Sequence, residues 1–164
     1  MKKILSYAAV AVIIMTFYGC PVGIEYPLGK PGTEKIDKAL IGTWTNKEED
    51  PEVKKVSIKK RDDYSYDVAV LERGTMYSLE TDNLVGWVTV IDGKTFFYVK
   101  EEKDGQYYHY MLPSINKTSM TTCDVSLLDG GMDSVKSTES LYKQVLSSMK
   151  MAEFCKETIN WTKE

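Results

Sequence analysis

Tyr64-Ser65-Tyr66-Asp67-Val68-Ala69-Val70 is the stretch that decides the fold. Tyrosine and valine recur at every second position, so Tyr64, Tyr66, Val68 and Val70 share one face of an extended strand while Ser65, Asp67 and Ala69 take the other. A half-buried antiparallel strand is expected. Outward from it, short segments rich in Val, Ile, Thr, Tyr, Phe and Trp recur between clusters of Asp, Gly, Lys and Glu. They predict strands over 40–46, 53–60, 64–72, 75–80, 84–91, 95–101, 107–112 and 119–127. Asp62-Asp63, Asp92-Gly93 and Asp104-Gly105 stand where tight hairpins need them, and the two Asp-Gly pairs are the stronger signals because glycine tolerates positive φ.

After Leu128 the pattern changes. Asp129, Gly130 and Gly131 break the chain, and Leu141, Tyr142, Val145, Leu146 and Met149 then recur at helical spacing with Thr138 as the expected N-cap. Ile159 and Trp161 can return in a short last strand. Eight antiparallel strands with one apolar face gain most by closing on themselves, which removes both exposed edges. The expected class is all-β: an eight-stranded antiparallel up-and-down barrel with one C-terminal α-helix and a short last strand.

A chain of 164 residues is one domain by length, and 43% hydrophobic with 27% charged residues is a globular mixture, far from a disordered one. The formal charge of −3 offers no field for phosphate, so no nucleic-acid partner is expected. At the start, Lys2 and Lys3 precede the uncharged run Ile4 to Phe17, and Gly19 and Cys20 follow. A membrane-crossing helix needs about twenty apolar residues, more than are present here, so the run reads as a cleaved export signal.

A basic start, a short apolar core and Gly19 before Cys20 resemble the lipobox of bacterial lipoproteins. Phe17 and Tyr18 depart from the aliphatic and small residues usual before the glycine, and such looser boxes are a feature of Bacteroidetes-type lipoproteins. The resemblance implies cleavage after residue 19 and a diacylglycerol on the Cys20 thiol. An ordinary secreted protein cut near Gly19 and an uncleaved anchor are the alternatives. Cleavage would remove Lys2 and Lys3 from 21 basic residues and none of the 24 acidic ones, moving the formal charge from −3 to −5. Lipid rather than a basic patch would then supply membrane affinity. Pro21, Gly23, Pro27, Gly29, Pro31 and Gly32 suggest an extended tether, which divides the chain into a signal at 1–19, a lipidated cysteine and tether at 20–33, and a folded domain at 34–164. With Cys20 taken by lipid, Cys123 and Cys155 either pair in an oxidising compartment or remain two buried thiols.

The order of lead-in, eight strands, helix and short last strand resembles the lipocalin (calycin) family. Ile36 to Leu40 followed by Gly42-Thr43-Trp44 is similar to that family's Gly-x-Trp motif at the start of its first strand. The resemblance implies structural roles for both: Trp44 plugs the closed end of the barrel and Gly42 lets the lead-in cross beneath it. Family members set a basic residue on the last strand against this tryptophan. The only arginines are Arg61 and Arg73, and Lys163 is a poor substitute by residue type.

Chemistry is sparse. His109 is the sole histidine, it shares a strand face with Tyr107 and Met111, and a surface or lumen-lining role is expected for it rather than catalysis. Neither a metal site nor a cofactor is expected, because His109, Cys123 and Cys155 lack ligand spacing and the acidic groups Glu48 to Asp50 and Glu101 to Asp104 lack that of a calcium loop. Trp87, Tyr98, Tyr108 and Tyr110 are the candidate pocket: rings on three consecutive strands either line an apolar lumen or simply fill it.

The function expected is therefore non-enzymatic. A lipoprotein of the bacterial cell envelope, held at the outer membrane on its periplasmic or surface face, would bind a small hydrophobic ligand or a partner protein in or on its barrel. The alternative is an envelope inhibitor or immunity-type lipoprotein that acts by protein contact through its acidic loops.

Overall fold

Asp92 and Gly93 both take positive φ, 49° and 74°, as a two-residue hairpin requires. They join Asn83–Ile91 (β4) to Lys94–Glu101 (β5) in unbroken register from Ile91↔Lys94 to Leu84↔Glu101. The computed structural model describes residues 23–75, 83–101 and 105–164. Around that hairpin lie Gly42–Asn46 (β1), Val53–Lys60 (β2), Tyr66–Arg73 (β3), Tyr107–Ile115 (β6), Ser119–Asp124 (β7) and Ile159–Lys163 (β8). Each strand runs antiparallel to the next and β8 returns to pair with β1, so the sheet is a closed eight-stranded barrel.

The eighth place is taken by the short last strand. The strand expected over 75–80 falls largely outside the described residues, as do the signal, Cys20 and Asp104. The strand expected over 119–127 ends at Asp124, and Leu40 belongs to a 3-10 turn, Lys38–Leu40, ahead of β1. The helix Thr138–Ser148 (α1) is capped by Ser137 rather than Thr138: the Ser137 hydroxyl accepts from the Ser140 amide while Ser140 Oγ accepts from the Ser137 amide. Tyr142, placed on the apolar stripe by spacing, is exposed, and Leu141 and Val145 carry the buried face.

One end of the barrel is sealed. Trp44 is fully buried there, and its Nε1 donates to the Leu40 carbonyl at 2.8 Å, holding the lead-in turn under the barrel. Tyr66 Oη accepts from the Asp37 amide at 2.6 Å, a second clasp on the same turn. Lys163, on the last strand, lies over the Trp44 ring with Nζ 4.6 Å from its centroid and donates to the Ala39 and Ile41 carbonyls at 2.7 and 2.8 Å. Lys163 is thus a basic residue of the last strand set against Trp44, held there by hydrogen bonds that residue type alone did not foretell. Gly42 has φ of 150°, and a Cβ there would meet Lys163 Cε at 3.0 Å, so the glycine makes room for the lysine stem. Above this floor, Ile58, Val68, Val88, Phe97, Leu112, Met120 and Trp161 fill the lower barrel. Phe97 lies across Gly86, where an added Cβ would stand 2.7 Å from the ring.

A second core lies outside the barrel. The outward residues Ile91, Phe96, Tyr98, Met111, Cys123 and Val125 are covered by Leu141 and Val145 of α1 and by Ile24 and Leu28. The chain after residue 22 is therefore not the loose tether that its prolines and glycines suggest. Ile24 exchanges two backbone hydrogen bonds with Tyr107, at 2.9 and 2.8 Å, and Leu28 is fully buried. Burying side chains of this size stabilises by roughly 1.5–3 kcal/mol each, so the docked chain begins at Ile24 and not at residue 34. Cys123 and Cys155 are disulfide-bonded with Cα atoms 5.3 Å apart, tying β7 to the turn after α1.

Two outcomes follow. Lys163→Met keeps the stem across Gly42 but loses both charge-assisted hydrogen bonds and the ring contact, and is expected to lower stability by about 2 kcal/mol, against about 3–5 kcal/mol for Trp44→Ala, in denaturant unfolding. Cys155→Ser opens a loop with a sequence separation of 32 and should lower stability by roughly 3–4 kcal/mol in the same assay.

Candidate binding site at the open end of the barrel

Strand alternation divides the four candidate pocket residues. Tyr108 and Tyr110 of β6 point into the barrel and pack on its inner core, whereas Trp87 of β4 and Tyr98 of β5 point outward and belong to the outer one. They do not share a surface. Trp87 and Tyr98 stack at 5.7 Å and, with Tyr107 and His109, form a ring cluster beneath Ile24, Tyr26 and Leu28. This cluster is packing. His109, expected at the surface or in the lumen, is 2% exposed and lies in it outside the barrel. Burial pushes its imidazole down to about 4, because the charged form would sit among rings, and the nearby Tyr26 backbone offsets little of this. Among the described residues, neither ring nitrogen of His109 nor the Tyr98 hydroxyl has a partner in hydrogen-bonding geometry.

The other end of the lumen is different in kind. β1, β3, β5 and β7 all run from the Trp44 end toward the opposite rim, where the inward positions are half-buried rather than sealed: Val53, Leu84, Tyr108, Tyr110, Asp124 and Ile159 keep some contact with solvent. Asp124 faces Tyr110 across β6 and β7. Its carboxyl is pushed up to about 6, chiefly by burial, with the negative charge of Glu52 adding to the shift and a hydrogen bond from the Val125 backbone opposing it. The Tyr110 phenol is raised above its ordinary range, again mainly by burial and then by Asp124 and Glu52, with Arg73 opposing. Arg73 pairs with Glu52 at 3.4 Å and is largely enclosed. Glu52, Arg73, Tyr108, Tyr110 and Asp124 thus form a polar girdle above the inward apolar side chains of Val56, Val70, Leu84 and Val99.

Such a girdle can accept hydrogen bonds from an ammonium or hydroxyl head while an apolar chain lies below it. Asp124, Glu52 and Arg73 were not legible as site residues, because a lone charge near a strand end reads as solvent-facing until the register places it. The only signal was parity: Asp124 is two residues from Thr122 and four from Met120, both inward. Of the acidic loop, Asp50 is engaged locally, accepting from the Thr75 amide at 2.8 Å and its hydroxyl at 3.0 Å. A groove of about 480 Å³ between Gly23–Tyr26 and Met132–Lys136 lies outside the barrel and is separate from the lumen.

No protein-family model matches the chain, and no curated protein or solved structure is significantly similar to it.

His109 and Asp124 should oppose each other in acid. The depressed His109 favours the folded state above its free value of 6.5, and that contribution is lost as pH falls toward 4. The raised Asp124 favours it below 3.8 and loses that contribution as pH rises through 6. Compared with the parent chain in unfolding titrations from pH 4 to 6.5, His109→Phe should become relatively more stable on acidification and Asp124→Asn relatively less.

Proposed function

We propose that this protein is a lipid-anchored lipoprotein of the bacterial envelope whose barrel carries a small amphipathic ligand in its lumen, without catalysis. The observation that carries the reading is the asymmetry of the barrel interior. Partly buried apolar side chains occur at both ends, but one end is closed by Trp44, Leu40 and Lys163, while the other gathers the ionisable side chains of Glu52, Arg73, Tyr110 and Asp124. A barrel stabilised by packing alone has no need of a half-buried carboxyl facing Tyr110 at one end of its core. Gly42, Trp44 and Lys163 support the likeness to lipocalins, whose binding sites lie in the lumen. The lipobox-like residues around Cys20 support the anchor, and the Cys123–Cys155 bond suits an oxidising compartment.

Native mass spectrometry of the full chain extracted from its own envelope tests the reading. The expected result is a bound small amphiphile, lost when Leu84→Trp crowds the lumen below the rim and weakened about tenfold by Asp124→Ala, the loss of one charge-assisted hydrogen bond. A stoichiometric protein partner with an empty lumen would instead favour the inhibitor reading. An empty barrel that takes up no amphiphile when one is offered would refute ligand carriage.

A further inference from the structure

The residues just after Cys20 bear on how the barrel stands on a membrane. Ile24 is fixed by its two backbone bonds to Tyr107, the first residue of β6, which lies at the open rim. Cys20 is four residues before Ile24, and four extended residues reach at most about 14 Å. From Tyr107 to Ile115, near the Trp44 end, β6 spans about 27 Å at the usual rise per residue. The attachment point on Cys20 is thus confined to the half of the barrel that carries the opening. Two exposed leucines lie toward the same rim: Leu71 of β3, 51% exposed, and Leu127 just beyond β7, 39% exposed.

We propose, resting on the reading of Cys20 as the lipidated residue, that the docked segment Ile24 to Leu28 holds the open end of the barrel against the bilayer, so that the ligand is a membrane-resident amphiphile taken directly from the lipid surface. The Asp124 carboxylate at that opening, beside the mutually compensating Glu52–Arg73 pair, selects a head bearing an ammonium group over a purely anionic one. Unlatched, the same chain would let the barrel tumble at the end of a longer lead, and its opening would face the aqueous phase as often as the lipid.

The test uses the acylated full chain in vesicles of phosphatidylcholine and phosphatidylethanolamine carrying a headgroup quencher. One fluorophore is placed through Lys47→Cys, in the loop after β1 at the open rim, and another, in a separate chain, through Lys117→Cys in the β6–β7 turn at the sealed end. The Lys47 position should be quenched several-fold more than the Lys117 position. Inserting about twelve Gly and Ser residues before Gly23, which adds roughly 20 Å of flexible reach, should abolish the difference. Equal quenching in the unextended chain, or stronger quenching at position 117, overturns the proposal. Fluorescent lysophosphatidylethanolamine should pass from vesicles to the anchored chain about tenfold faster than to Cys20→Ala, as expected for a confined pair; equal rates overturn direct loading. Binding of the same probe by Cys20→Ala in solution separates the two claims: if it binds while the orientation result fails, only the membrane geometry is wrong, and if it does not bind, carriage itself is wrong.

Discussion

The contact of Lys163 with Trp44 and the lead-in carbonyls is the constraint on which the rest depends. A barrel of eight strands closes only if its last strand meets its first, and here β8 is five residues long and reached after the 34 residues that separate it from β7. Three residue pairs join it to β1. Backbone pairing of that length is a weak seam. The lysine reinforces it by linking β8 to the Ala39 and Ile41 carbonyls through a half-buried charged group, whose hydrogen bonds are worth more than neutral ones. Trp44 then serves as floor, ring partner and donor to Leu40 at once, and Gly42 is the residue that leaves space for the lysine stem.

With one end so closed, the molecule has two cores on opposite sides of a single sheet. The inner one is buried around Trp44, Tyr66 and Phe97, and its side chains at the opposite rim are half-buried. The outer one is assembled from a helix, a disulfide and the chain that leads in from residue 23, and it buries the aromatic cluster of Trp87, Tyr98, Tyr107 and His109. The outer core has a mechanical consequence for the inner one. By fixing Ile24 beside Tyr107, it couples the start of the folded chain to the rim of the lumen.

Polar groups follow the same division. His109, without a hydrogen-bond partner among the described residues, is tolerated in the outer core because it remains neutral. Asp124 is tolerated in the inner one because the open rim gives it partial hydration and Tyr110 and Arg73 stand nearby. The first is a structural residue with an acid liability, and the second belongs to a site able to receive the head of a ligand.

Reading the chain alone was enough for the strands with clean alternation, the Asp92-Gly93 hairpin and the helix near residue 141, because period and turn chemistry are local properties; structural roles for Gly42 and Trp44 came only from the resemblance of Gly42-Thr43-Trp44 to a family motif. The choice of inner face was not local. In Phe96-Phe97-Tyr98-Val99 every position is apolar and buried, so alternation assigns two faces without saying which one is the lumen. The helix and the residues after 23 decide it by covering Phe96 and Tyr98, and this is why Trp87 and Tyr98 part company with Tyr108 and Tyr110. The inward turn of Asp124, the reach of Lys163 and the docking of Ile24 were likewise decided by tertiary structure, since each depends on register between segments far apart in the chain, and pairing energy over such separations leaves no signature in composition or spacing.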